Sequence, residues 1–306
     1  MGIDESLWTA LRALRANLLR SLLTMLGVMI GVGSIIAMLS IGRGAKEQSL
    51  ERMRSMGANL LFVRPGSQRR GLIHFGMGSR RTLKYEDATA LANRNISSIE
   101  SVAPESSSRA QVKFQNKNTN TQIIGTTPNY PEIRNTPVEK GSFFTDEDVL
   151  FRRRVAVLGP TVVENLLGES STTGSDSGSG AVESSVDEAS IIGQNIRINN
   201  VIFRVIGITK TKGDMGWRNP DDQIYIPITT AQKRLFGVDY IGSINIQATD
   251  QKIMDKAEAE IEKVLRKQHR LSNNKESDFT IRNQADWIEA MEETNKTFNW
   301  LLGGTA

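Results

Sequence analysis

The chain lacks cysteine altogether, which excludes thiol catalysis, disulfide bridges and cysteine-ligated metals. Histidine is nearly absent: His74 and His269 are the only two in 306 residues. Neither has a second histidine or a carboxylate at ligand spacing nearby, so no metal site is expected. His269 closes a charged helical stretch and is expected at the surface. Charge of one sign is not in excess. Lys plus Arg total 38 against 34 for Asp plus Glu, a formal net charge of +4. The basic clusters at 69–70, 80–81 and 152–154 carry no interleaved aromatics, so no nucleic acid partner is expected. Nucleotide motifs are missing too. No Lys-Ser or Lys-Thr pair closes a phosphate loop, and Gly31-Val-Gly33 is followed by Ile36 where a dinucleotide fingerprint needs glycine. The serine-rich tract 170–185 holds no Gly-x-Ser-x-Gly. Catalytic residues, bound cofactor and metal are therefore all expected to be absent, and the chain is not read as an enzyme.

What is present begins with one uncharged run of 21 residues, SLLTMLGVMIGVGSIIAMLSI, at 21–41. As a helix it spans about 31 Å, close to the hydrocarbon thickness of a bilayer. It is longer than the apolar core of a signal peptide. Gly27 and Gly31 form a Gly-x-x-x-Gly pair that lets another helix approach closely, although that spacing is also frequent by chance in membrane spans. Before the run, Ile3, Leu7, Leu11, Leu14, Leu18 and Leu22 mark one helical face, flanked by Arg12, Arg15 and Arg20. Residues 1–20 thus read as an amphipathic helix on the cytoplasmic side, touching membrane lipid. After the run, residues 42–57 read as a charged stalk helix with Gly57 as its terminal cap and hinge. The expected topology puts the N-terminus in the cytoplasm of an inner or plasma membrane and the bulk of the chain outside.

Residues 58–282 mix strand and helix patterns, so the fold class is α+β: a membrane helix followed by a large mixed α/β extracytoplasmic domain with an inserted, mainly-β lobe at about 126–222. A helix over 83–93 is expected, capped by Thr82. Separate strands are expected at 99–103, 110–115 and 121–125, and a helix over 251–270 with the stripe Ile253, Ala257, Ile261, Val264 and Leu265. Asp146, Glu147 and Asp148 suit a helix start, and Asp221 and Asp222 a turn. Residues 168–191, rich in Ser, Gly and acids, read as a flexible surface insertion. Helical spacing at Trp287, Ile288, Met291, Asn295 and Phe298 precedes a final apolar run, so 283–306 reads as a second stalk helix and the start of a truncated second span.

Six stretches resemble the MacB-type (FtsX-like) permeases of ABC transporters: ALRALRANLLRSLLTMLGVMIGVGSIIAMLSIG at 10–42, GANLLFVRPG at 57–66, IIGTTPNYPEIRNTPVEKGSFFTDEDV at 123–149, RRVAVLGP at 153–160, DDQIYIPITTAQKRLFG at 221–237 and FTIRNQADWIEAM at 279–291. The resemblance covers nearly the whole chain and fails at about 168–191. It implies the N-terminal part of a four-span permease, with a porter-like extracytoplasmic domain and an inserted β lobe. The implied partners are a cytoplasmic ABC ATPase that holds the ATP, a second permease as homodimer or pair, and a membrane fusion (adaptor) protein. The implied mechanism is transmission of movement from ATP-driven closure through the stalks to the outer domain, for export. Related builds also serve as lipoprotein-releasing permeases or as non-transporting regulators of a cell-wall hydrolase.

Overall fold

The computed structural model describes residues 15–54, 59–66, 69–70, 73–74, 81–94, 96–168, 188–213, 219–272 and 274–284, and outside these runs residues 2, 8–9, 293–294 and 297. Gly57, most of 1–20, most of 283–306 and the insertion at 169–187 lie outside the described residues. The chain divides into two units, residues 1–51 with 288–306, and residues 52–287.

The first unit is dominated by the helix Leu18–Arg54, which begins after a turn at Asn17 and continues to the second unit's first residues. Its 37 residues span about 55 Å. The expected span and stalk are one uninterrupted helix as far as Arg54. Leu18–Gly44 is long and apolar enough to cross a membrane. Every described side chain from 22 to 44 is exposed, and a helix apolar all round with no protein cover suits lipid. Its hydroxyls turn inward: Thr24 Oγ1 donates to the Arg20 carbonyl at 3.0 Å and Ser34 Oγ to the Ile30 carbonyl at 2.7 Å. That removes the cost of a bare hydroxyl in hydrocarbon.

The second unit contains β1 (Leu60–Pro65), β2 (Arg69–Arg70), β3 (Ile73–His74), β4 (Ile99–Phe114), β5 (Lys117–Thr126), β6 (Val138–Gly141), β7 (Val155–Leu158), β8 (Asn195–Ile198), β9 (Val201–Thr209), β10 (Gln223–Pro227), β11 (Ser243–Ala248) and β12 (Phe279–Asn283). Strands β2 and β3 pair with each other; the rest form one mixed sheet. Half of it is a split β-α-β-β-α-β unit: β1, helix Tyr85–Ala92, the first half of β4, β11, helix Met254–Gln268 and β12. These strands lie side by side as β12-β1-β11-β4, all antiparallel neighbours. Period-2 burial of Ile244, Ile246 and Ala248 turns β11 toward the helices, and Met254, Ala257, Ile261, Val264 and Leu265 bury the matching helix stripe.

The other half is inserted between β4 and β11 and closes on itself. Strand β4 pairs with β5, β5 with β10, β10 with β7, β7 with β9, β9 with β8, and β8 again with β4. This is a six-stranded barrel with parallel pairs at β5–β10 and β7–β9. Its interior is filled by Val112, Ile123, Leu158, Ile198, Phe203 and Ile224, each fully buried. Closure removes the edges that an open mixed sheet would expose. The outer side of the β5–β10–β7 wall, with Ile124, Val157 and Tyr225, belongs to the core of the split unit, so two cores share one wall.

Three local readings differ from the sequence. Residues 99–114 form one strand, because the Ser106–Ser107–Ser108 run pairs with Gly125, Ile124 and Ile123 of β5. The barrel therefore draws on 106–126 and 223–227 as well as on the stretch 126–222. Helix Tyr85–Ala92 starts at Lys84, whose backbone N–H is accepted by Asp87 at 2.8 Å. Thr82 instead donates its hydroxyl to the Asp278 carbonyl at 2.9 Å. Glycine is required at Gly141 (φ +82°), where β6 crosses close to Gly207 and a Cβ would collide with the Ile206 carbonyl.

Candidate functional site

The domain is rooted through two neighbouring strands. Strand β1 follows the Leu18–Arg54 helix in sequence, and β12 lies at the C-terminal end of the domain. They pair antiparallel from Leu61↔Asn283 to Pro65↔Phe279, which brings the entering and leaving chain to one end of the sheet. At the other end a node forms around Asp278. Its carbonyl accepts from Gly66 N–H at 2.8 Å and from Thr82, and Gly66 must be glycine there because a Cβ would lie 2.9 Å from that oxygen.

His269 completes the node and corrects the surface expectation. Its side chain is 9% exposed and lies between two carboxylates, Nδ1 at 2.8 Å from Asp278 Oδ1 and Nε2 at 3.1 Å from Asp87 Oδ2. The second contact is an ion pair off the line of a hydrogen bond. The Asp87 carboxylate raises the imidazole pKa most, burial opposes it, and Asp278 adds to the rise, bringing it to about 9. The charged imidazolium ties helix Tyr85–Ala92, the end of helix Met254–Gln268 and the start of β12 together. Asp87 is remote in sequence and Asp278, nine residues on, lies outside helical ligand spacing, so no ligand-spacing rule could find the pair.

A second polar cluster fills the junction between split unit and barrel. Glu105 sits where β4 passes from β11 to β5 and accepts from Asn245 Nδ2 at 3.1 Å and Tyr130 Oη at 3.4 Å. Burial weakens the Arg134 guanidinium's hold on its proton, but Tyr130 and Glu105 more than offset this and raise its pKa. Arg134 also lies over the Phe62 ring of β1, 5.3 Å from its centroid. Burial, then the Arg134 charge, push the Lys212 ammonium down to about 8, with Asp221 opposing. Lys212 Nζ donates to the Arg134 carbonyl at 2.7 Å. Asp221 accepts from the backbone N–H groups of Lys212 and Gly213, which makes the expected turn.

Beside the junction lies an open cleft of about 460 Å³. Helix Tyr85–Ala92 gives Tyr85, Ala88, Thr89 and Ala92, β4 gives Val102 and Pro104, and the far wall is the turn from Thr127 to Glu132 with Asp146. Burial, then the Asp146 charge, raise the Tyr85 phenol pKa. Asp146 begins the short helix Asp146–Leu150, as its sequence suggested. Among the described residues there is no group of three or more His, Cys, Asp or Glu that could hold a metal ion. At Gly27 and Gly31 an added Cβ would meet open space, so the single chain supplies no packing partner there among the described residues.

The MacB-like periplasmic core domain family matches residues 21–264. The chain belongs to that family. The macrolide export ATP-binding/permease protein MacB of Bdellovibrio bacteriovorus is 36% identical over 303 residues, which cover 99% of this chain and 44% of that protein. The protein of the same name from Azoarcus is 37% identical over 303 residues, with 99% and 42% covered. The chain thus spans less than half the length of these relatives. The solved periplasmic region of MacB from Actinobacillus actinomycetemcomitans aligns with a TM-score of 0.60 at 23% identity, covering 79% of this chain and 97% of that one. The extracellular domain of the ABC-type transporter YknZ from Gram-positive bacteria aligns at 0.54 and 16% identity, covering 74% and 100%. Both share the fold of the mixed α/β domain of this MacB-type chain.

Proposed function

We propose that the chain is the N-terminal part of a MacB-type ABC transporter permease, in which movement of the membrane helices is delivered to the outer domain. The observation that carries this reading is the pairing of β1 with β12. The helix Leu18–Arg54 precedes β1 in sequence, and the chain leaves β12 at the end of the sheet where β1 begins, so a pull on the segments before β1 and after β12 would load two hydrogen-bonded neighbours together. The ATP that powers the movement is bound by an ABC ATPase on a separate chain or segment, since no nucleotide motif occurs here. The permease works as a homodimer or pair, in an inner or plasma membrane with the domain outside, and exports substrate together with a membrane fusion protein. Gly27 and Gly31 provide the helix contact within that pair, and Gly57 is the hinge of the stalk. The name of the relatives, macrolide export ATP-binding/permease protein, supports export as the activity.

Purification of the full-length protein from its native membranes, with its companions identified by mass spectrometry, tests this. An ABC ATPase and a fusion protein are expected in the complex. A complex with ATPase and a cell-wall hydrolase in place of the fusion protein would move the assignment to regulation. Absence of any ATPase, under conditions that keep other membrane complexes together, would contradict it.

A further inference from the structure

The cleft beside β4 has features that neither the rooting of the domain nor its junction explains. It runs along the edge of β4 that β11 leaves uncovered, between Val102 and Pro104. Such an edge normally recruits another strand. Here it is closed to one. Pro104 has no N–H, its carbonyl accepts from Thr126 Oγ1 at 2.9 Å, and the Val102 carbonyl accepts from Asn129 Nδ2 at 2.9 Å. Asn129 is itself fixed by Thr127 and Ser101. The groove therefore keeps its apolar floor of Ala88, Val102 and Pro104 but offers no ladder to an extended peptide. Its volume of about 460 Å³ suits a small molecule.

The charge at its rim decides which kind. Glu132 and Asp146 line the mouth, and among the described residues neither has a cation within ion-pair distance. Cations near the junction are engaged elsewhere: Arg153 with Glu147 and Asp148, Arg134 over Phe62, and Lys212 on the Arg134 carbonyl. In a chain whose net charge is +4, two carboxylates without an ion-pair partner among the described residues, beside an apolar floor, are a local feature. Tyr85 lines the same cleft, and its phenol feels the charge of Asp146.

We propose that this cleft is a binding site for small amphiphilic cations, the apolar body on Ala88, Val102 and Pro104 and the ammonium at Glu132 and Asp146. The site is a property of the domain and stands whether or not the chain exports anything.

The four tyrosines make the test direct. The full chain, in nanodiscs of neutral lipid and labelled with 3-fluorotyrosine, gives one fluorine resonance each for Tyr85, Tyr130, Tyr225 and Tyr240, and Tyr85→Phe assigns the first. Titration with hexylammonium should shift the Tyr85 resonance saturably and leave Tyr240 in place. Binding should be about five- to tenfold tighter than that of hexanol or hexanoate, the gain expected of two exposed carboxylates. The double variant Glu132→Gln, Asp146→Asn should bring hexylammonium down to the level of hexanol. Ala92→Phe, which fills the groove from an exposed position, should abolish the shift for all three probes. Equal response to hexanol, a shift that does not saturate, or hexylammonium binding retained in the double variant with unmoved Tyr130 and Tyr225 resonances would each overturn the proposal.

Discussion

Replacing His269 with glutamine will destabilise the domain by about 3 kcal/mol at pH 7, at the low end for breaking a buried ion pair. Among the described residues the imidazolium is the only positive group in contact with both Asp87 and Asp278, and without it two carboxylates lose their shared counter-charge at a side chain that was 9% exposed. The pH dependence is specific. The folded pKa of about 9 lies above the ordinary 6.5, so the charged form is bound more tightly in the folded state. The stabilisation is therefore complete below pH 6.5 and is lost as pH rises through 9. Fully expressed it is worth about 3 kcal/mol; solvent reaching Asp278 reduces that to about 2 kcal/mol. Urea unfolding of the wild type and H269Q across that range reads both effects. The difference between them should shrink by about 2 kcal/mol between pH 6.5 and 10. A difference that stays constant with pH would remove the charged node from the account.

Replacing Phe203 with alanine will cost about 3–5 kcal/mol, the range for a large core aromatic. Phe203 is fully buried inside the barrel and pairs across to Ile196. The loss should fall unevenly, because the barrel interior and the split unit have separate cores. Hydrogen exchange should accelerate at the amides of β8 and β9 while those of β1 and β11 keep their protection. Strand β4 is the link between the halves, so exchange should rise in 106–114 and remain slow in 99–105. Uniform acceleration through β1 and β11 would mean that the domain has one cooperative core.

The sequence carries the larger architecture openly. The uncharged run, the apolar stripe of helix Met254–Gln268 and the mixed order of strands and helices each obey a local period, and the structure keeps them. What local reasoning loses is long-range pairing. Ser106, Ser107 and Ser108 fall between two strands expected to be separate, yet they are where β4 changes partner. Barrel closure depends on β8 meeting β4, through Ile198 and Val112, which no spacing rule connects. The same limit hid the two polar clusters. His269 finds Asp87 far upstream, and Glu105 finds Asn245, so each residue alone reads as an ordinary surface polar group. Thr82 shows the converse error: a good capping residue in the right place serves a distant carbonyl instead.

The proposed topology puts this domain outside a membrane that the helix before it crosses. The absence of native cysteine permits the most direct measurement. Single cysteines at exposed positions, Ser107→Cys on β4 and Thr9→Cys before the apolar helix, are exposed to an impermeant thiol reagent on intact cells and again after lysis. Ser107→Cys is expected to react on intact cells, and Thr9→Cys only after lysis. Reaction of Thr9→Cys on intact cells with protection of Ser107→Cys would reverse the topology, and protection of both until lysis would place the domain inside.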